Sequence, residues 1–175
     1  MKLENKKHLN NCIKPKLDAC PSKTKGEAKV KVQKSIEIKA PPEKVWPFLV
    51  EPEKTLKWCI TFKKFEYTGK QRSGVGTALY VEEKAGGPLM KLNFTVTEWV
   101  ENKKLAFNMT SGNFVKGYEQ TWTVDATPSG SRFSFMEQVK LPYGIIGKVM
   151  ELFARRNSET TVREMLTKLK SLAEA

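Results

Sequence analysis

The sequence predicts an α+β domain: a strongly curved antiparallel sheet of about seven strands wrapped around one long C-terminal helix, with two short helices after the first strand. Three observations carry this. Apolar and polar residues alternate with period two in segment after segment up to Pro142, and the apolar positions are mostly β-branched or aromatic. The segments after the short helices are joined by brief stretches of turn residues, which forces antiparallel neighbours, because a parallel crossover needs about a dozen residues or more. Beyond Pro142 the period switches to three-and-four and keeps it to the end.

Taken in order, Val30, Val32, Ile36 and Ile38 share one parity while Lys31, Glu37 and Lys39 share the other, which reads as a half-buried strand. Ala40-Pro41-Pro42 ends it, and Pro42 suits the first turn of a helix, where its missing N–H is not needed. Val45, Trp46, Phe48 and Leu49 supply a short apolar face with Pro47 in its first turn or two. Pro52 stops that helix, and Glu53 to Trp58 forms the second. Six further strands are expected over residues 60–68, 75–84, 89–99, 104–110, 117–127 and 132–141. Their inward parity holds Val75, Leu79 and Val81; Leu92, Phe94 and Val96; Leu105, Phe107 and Met109; Tyr118, Trp122 and Val124; and Phe133, Phe135 and Val139. In the final helix, expected over 145–173, Ile145, Val149, Leu152, Val162, Leu166, Leu169 and Ala173 form a stripe that Ile146, Met150, Phe153, Met165 and Leu172 widen. At 1.5 Å per residue it would be about 43 Å long, and the sheet face is the one apolar surface long enough to cover it. A bent sheet gripping one helix leaves room between the two.

The net charge of +12 is unevenly placed. Residues 1–34 hold ten lysines against Glu4, Asp18 and Glu27, a surplus of +7, while the rest of the chain carries +5. Residues 1–28 therefore read as a basic arm, poor in apolar side chains and broken by Pro15, Pro21 and Gly26, unable to offset its own chain entropy and so disordered. Residues 29–175 read as the folded domain. Such an arm offers weak contact to anionic surfaces. It has no aromatic residue to stack on bases, so no specific nucleic-acid partner is expected. Three cysteines make no disulfide framework, the N-terminal lysines lead into no apolar stretch, and no run is long enough for a transmembrane helix, so a cytoplasmic protein without a transmembrane segment is expected.

Most catalytic constellations are missing from the folded part. The single histidine, His8, is in the arm, which removes Ser–His and Cys–His nucleophiles. His8, Cys12 and Cys20 lack a zinc-ligand spacing, so no metal is expected, and no cofactor either. Gly74-x-Gly76 opens a strand where a phosphate loop would open a helix, and reads as a hairpin bend. Cys59, after Trp58, reads as a small buried hydrophobe. Glu137 is the exception, because it shares the inward parity of Phe133, Phe135 and Val139. A carboxylate held in an apolar pocket has a raised pKa and suits an acid, a base or a ligand anchor. A bulge turning it outward, or an ion pair with Lys148 or Arg156, accounts for it as well. Tyr118 and Gln120 share the inward parity of the preceding strand and suit polar groups that orient a ligand, or a hydrogen-bonded core.

The run SIEIKAPPEKVWPFLVEPEKTLKW, the later Ser73-Gly74-Val75-Gly76-Thr77, and the closing helix with Phe153, Arg155, Arg156 and Asn157 resemble the START-like, Bet v 1-like (SRPBCC) superfamily, specifically its polyketide cyclase/dehydrase and lipid-transport group. The resemblance spans about residues 30–173 and implies the helix-grip fold. It implies binding or transport of a small hydrophobic ligand, lipid- or polyketide-like, between sheet and C-terminal helix. The inward residues expected to line that cavity are Leu79, Phe94, Phe107, Met109, Tyr118, Gln120, Trp122, Phe135 and Glu137, with Met150 and Phe153 from the helix. The group's range of activities keeps open a cyclase or dehydratase with Glu137 and Tyr118 as proton-transfer groups. An interaction module using the basic arm is a further alternative.

Overall fold

The computed structural model describes residues 29–141 and 146–175, with side chains of the last helix described from Glu159 onward. The arm, with His8, Cys12 and Cys20, and the side chains of Met150 and Phe153 lie outside the described residues. The order is β1 (Lys29–Ile38), α1 (Pro42–Val45), α2 (Pro47–Val50), α3 (Pro52–Trp58), β2 (Phe62–Tyr67), β3 (Ala78–Glu83), β4 (Met90–Val100), β5 (Lys104–Gly112), β6 (Gly117–Thr127), β7 (Gly130–Lys140) and α4 (Ile146–Ala173).

The seven strands form one antiparallel sheet in the order β1-β7-β6-β5-β4-β3-β2. From β2 to β7 it is a meander, and β1 joins by pairing with β7 from Lys29↔Lys140 to Ile38↔Ser131. The register shifts between Phe62 and Lys64, between Asn93 and Phe94, and between Val96 and Glu98. Extra residues of this kind bend a strand and increase its twist, and here they help curl the sheet so that its inner face surrounds α4. The result is the expected helix-grip arrangement.

Two local expectations need correction. The first of the two short helices is split at Pro47, so three short helices follow β1. Trp46 donates its N–H to the Pro42 carbonyl, but Pro47 has no N–H to continue that ladder, and a new turn starts from it. Residues 75–77 are also not strand. Val75 is 63% exposed and β3 begins at Ala78. Gly74 and Gly76 adopt φ of +84° and +88°, and Thr77 bonds the Gly74 carbonyl through its hydroxyl at 2.7 Å. The Gly-x-Gly-Thr element is thus a turn that glycine's conformational freedom permits.

α4 lies along β1. Lys34 Nζ is 3.2 Å from Glu159, Lys170 Nζ donates to the Glu37 carbonyl at 2.7 Å, and the Lys39 N–H donates to Glu174 at 2.6 Å. Between these ties Val162, Met165, Leu166, Leu169 and Ala173 are buried at helical spacing. Each large apolar side chain so buried contributes about 1.5–3 kcal/mol, which outweighs the exposed ion pairs beside it. No described helix is long and apolar enough to cross a membrane.

Candidate ligand-binding cavity

The inner face of the sheet is filled with rings near α3. Trp58 meets Trp122 at 5.2 Å and Phe133 at 5.6 Å between ring centroids, and Phe107 meets Trp122 at 5.1 Å and Phe94 at 5.2 Å. Further along the same strands the filling stops. A cavity of about 200 Å³ opens between the sheet and α4. Its apolar wall is Val30 of β1, Phe62 of β2, Met90 of β4, Phe135 and Val139 of β7 and Val162 and Met165 of α4, with Val115 and Leu141 from the connections. Its polar wall is Thr61, Glu83, Tyr118, Gln120, Glu137 and Thr161. Ala85, in the exposed β3–β4 turn, reaches the cavity from the surface side.

β6 and β7 set the polar wall. Gln120 stands opposite Glu137 and Tyr118 opposite Val139 in an unbroken register. Glu137 is also in register with Val32 of β1, so no bulge turns it outward; Lys148 and Arg156 lie outside the described side chains. The Tyr118 hydroxyl donates to Glu137 Oε2 at 2.9 Å and accepts from Gln120 Nε2 at 2.8 Å. Glu83, at the end of β3, accepts from the Thr61 hydroxyl at 3.0 Å. Glu83 is 5% exposed, Glu137 7% and Gln120 2%, so each depends on its protein neighbours in place of bulk water.

Two carboxyl groups in one dry site cannot both ionise cheaply. Burial, with the Glu83 charge added, pushes Glu137 up to about 8 against the pull of its Tyr118 hydrogen bond. Burial pushes Glu83 up to about 7, against the pull of its Thr61 hydrogen bond and of the nearby Tyr118 hydroxyl. Burial, and then the two carboxylates, also raise the Tyr118 phenol and the Cys59 thiol well above their ordinary values. Near neutrality the cluster therefore holds protons that solvent-exposed glutamates would have released, and it can give or take one.

Of the residues expected to line the cavity, the structure brings Tyr118, Gln120, Phe135 and Glu137 together there. Leu79, Phe94, Phe107 and Trp122 are buried in the packed core beside it. Met109 is half-buried and packs against that core. The sequence reading missed Thr61 and Glu83. Glu83 was within reach of the parity argument, since it continues the inward series Leu79, Val81. Thr61 precedes β2 in a turn, where no periodicity reports on direction. Among the described residues no group of three His, Cys, Asp or Glu side chains is placed to hold a metal ion.

The profile of the family described as polyketide cyclase / dehydrase and lipid transport matches residues 29–174. The chain belongs to that family. Its sheet and helices also superpose on solved START-like structures. A START superfamily protein from Mycobacterium smegmatis matches with a TM-score of 0.67 and 15% identity, over 82% of this chain and 97% of that one. The Zhui aromatase/cyclase from Streptomyces sp. R1128 matches with a TM-score of 0.63 and 14% identity, over 83% and 94%. Identities this low establish the shared fold alone. Among curated proteins, uncharacterized protein Rv2574 from Mycobacterium tuberculosis is 25% identical over 107 residues, 61% of this chain. The chain spans 64% of the length of that relative. Family membership therefore accounts for the architecture, while the acid pair is read from this chain's own residues.

Proposed function

We propose that the protein binds a small hydrophobic molecule in the cavity between sheet and C-terminal helix, as a carrier or sensor that does not turn it over. The supporting observation is the cavity itself: mostly apolar, bounded by β1, β7 and α4, with a few convergent polar groups at its inner end. At about 200 Å³ it is smaller than the usual drug-sized site, and at about 30 Å³ of liquid volume per water it suits a molecule of roughly seven non-hydrogen atoms. A full acyl chain would need the cavity to widen. Native mass spectrometry of the purified protein tests the reading, with Val162→Phe as the comparison. Val162 faces the cavity from α4, and a larger ring there fills it at a cost of about 1–3 kcal/mol. A bound small molecule in wild type that is lost in the variant supports the proposal. A wild-type protein that carries none and takes up none from an apolar library sinks it.

A second reading has its own observation. Glu137, held mostly protonated at neutral pH beside a phenol and a second acid, suits a proton donor of the cyclase or dehydratase kind, and the Zhui aromatase/cyclase shares the fold. Glu137→Gln separates the two. If aromatic polyketide or fatty-acyl substrates are converted by wild type, and the variant binds them without converting them, the protein is an enzyme and Glu137 its acid or base.

A further inference from the structure

We propose that the inner end of the cavity receives a hydrogen-bond donor, so that the ligand is a small alcohol, phenol or amine on an apolar frame and not a carboxylate. This rests on the ligand-binding reading above and narrows it. The observation is a pair of buried acceptors without donors in the cluster of Glu83, Tyr118, Gln120 and Glu137. The Thr61 hydroxyl proton goes to Glu83 Oε1, the Tyr118 proton to Glu137 Oε2, and a Gln120 amide proton to the Tyr118 oxygen. Two acceptors are left over. Glu83 Oε2 and Gln120 Oε1 are buried and have no hydrogen-bond partner among the described residues. Both residues line the cavity and are at least nine-tenths buried.

A buried acceptor left unsatisfied is unfavourable, and a ligand that supplies the missing proton removes that penalty on binding. The more strongly held proton of the acid pair is on Glu137, which leaves Glu83 Oε2 and Gln120 Oε1 as the acceptors without donors. A ligand hydroxyl or ammonium in the cavity that Glu83 and Gln120 line supplies a proton for these acceptors. A ligand carboxylate meets the same two acceptors with none of the protons they need, and adds a third carboxyl group to a site that already disfavours two charges. The remaining walls, Val30, Phe62, Val139, Val162 and Met165, accept an apolar frame and offer it no polar contact.

The test is a matched series on one frame: cyclohexylmethanol, cyclohexylmethylamine, methylcyclohexane and cyclohexanecarboxylate, titrated into the full chain at neutral pH and followed by NMR shifts. The alcohol and the amine are expected to bind at least about tenfold more tightly than the hydrocarbon and the carboxylate. Gln120→Met, which keeps the length and apolar stem but removes the acceptor, is expected to narrow the gap between alcohol and hydrocarbon. Equal binding of all four, or preference for the carboxylate, overturns the inference and leaves the ligand-binding reading standing. If none of the four binds, the ligand-binding reading falls and takes this inference with it. The wild-type series decides the matter even if the variant folds poorly.

Discussion

At one end of the inner sheet face, beside α3, Trp58, Trp122, Phe107 and Phe133 meet ring to ring. At the other end, Tyr118, Gln120 and Glu137 meet through hydrogen bonds around a cavity that Glu83 also lines. The two ends share strands. β6 carries Trp122 and Val124 into the first and Tyr118 and Gln120 into the second, and β7 carries Phe133 into the first and Glu137 into the second. Alternation within each strand is the same throughout, so the backbone treats both ends alike. What differs is side-chain chemistry. Rings fill the volume at one end, and smaller or polar groups leave it open at the other. The packed end stabilises the fold, and the open end leaves a cavity at some cost to that stability.

The largest expected effect comes from breaking the packed end. Trp122 is completely buried, and its ring contacts Trp58, Phe107 and Phe135. Trp122→Ala is expected to cost about 3–5 kcal/mol, read from the denaturant midpoint. A change under about 1 kcal/mol would show that this end is loosely filled and that the contrast between the ends is false.

Next is the pH dependence of the open end. In the folded protein Glu83 and Glu137 hold their protons up to about 7 and about 8, whereas in the unfolded chain they release them near 4.5. Between those values the folded state binds more protons than the unfolded one. Its stability is therefore fully present below about pH 4.5 and is lost as pH rises toward 8. At about 1.4 kcal/mol per pKa unit, the two shifts put the loss at several kcal/mol. Melting temperatures measured from pH 5 to pH 8 should fall through this window, and Glu137→Gln should flatten the slope and raise stability at the alkaline end. A stability that increases across that range would mean the acids are solvated and the cavity is not dry.

The fold was legible because it depends on period and punctuation. The alternation in β6 and β7 fixed their inward residues, and the switch to three-and-four spacing after Pro142 marked α4, whose described backbone runs from Ile146 to Ala173. The position of the cavity along the strands was less so. Parity tells which face a residue takes and says nothing about which end of that face is packed, so it places Phe94, Phe107 and Trp122 alongside Gln120 and Glu137. That distinction depends on where α3 and α4 cover the sheet, a matter of tertiary packing. Trp58 closes one end from α3, while Val162 and Met165 roof the other from α4.

A smaller effect is expected from the Tyr118 hydroxyl, which joins Gln120 to Glu137. Tyr118→Phe keeps the ring that contacts Phe94 at 5.6 Å and removes the bridge. The loss should be about 1–3 kcal/mol at neutral pH. It should be greater at pH 8 than at pH 5, because the hydroxyl donates to a carboxyl that ionises in between. Equilibrium unfolding at the two pH values separates this from a plain packing defect, which would cost the same at both.

The smallest effect is expected from removing the basic arm, and it bears on the open end alone. β1 starts at Lys29, and Val30 is already in the cavity wall opposite Val139. The family profile begins at the same residue. A chain starting at Lys29 keeps every described hydrogen bond and ring contact of both ends. Its unfolding free energy should match that of the full chain within about 0.5 kcal/mol, as for changes away from packed features. The affinity for the alcohol of the matched series should be unchanged as well. The two readouts respond differently if the arm is more than a solvated tail. A stability loss above about 2 kcal/mol would mean that the arm packs on the folded body. A change in affinity at constant stability would mean instead that it covers the mouth of the cavity, near the start of β1, and belongs to the binding end of the molecule.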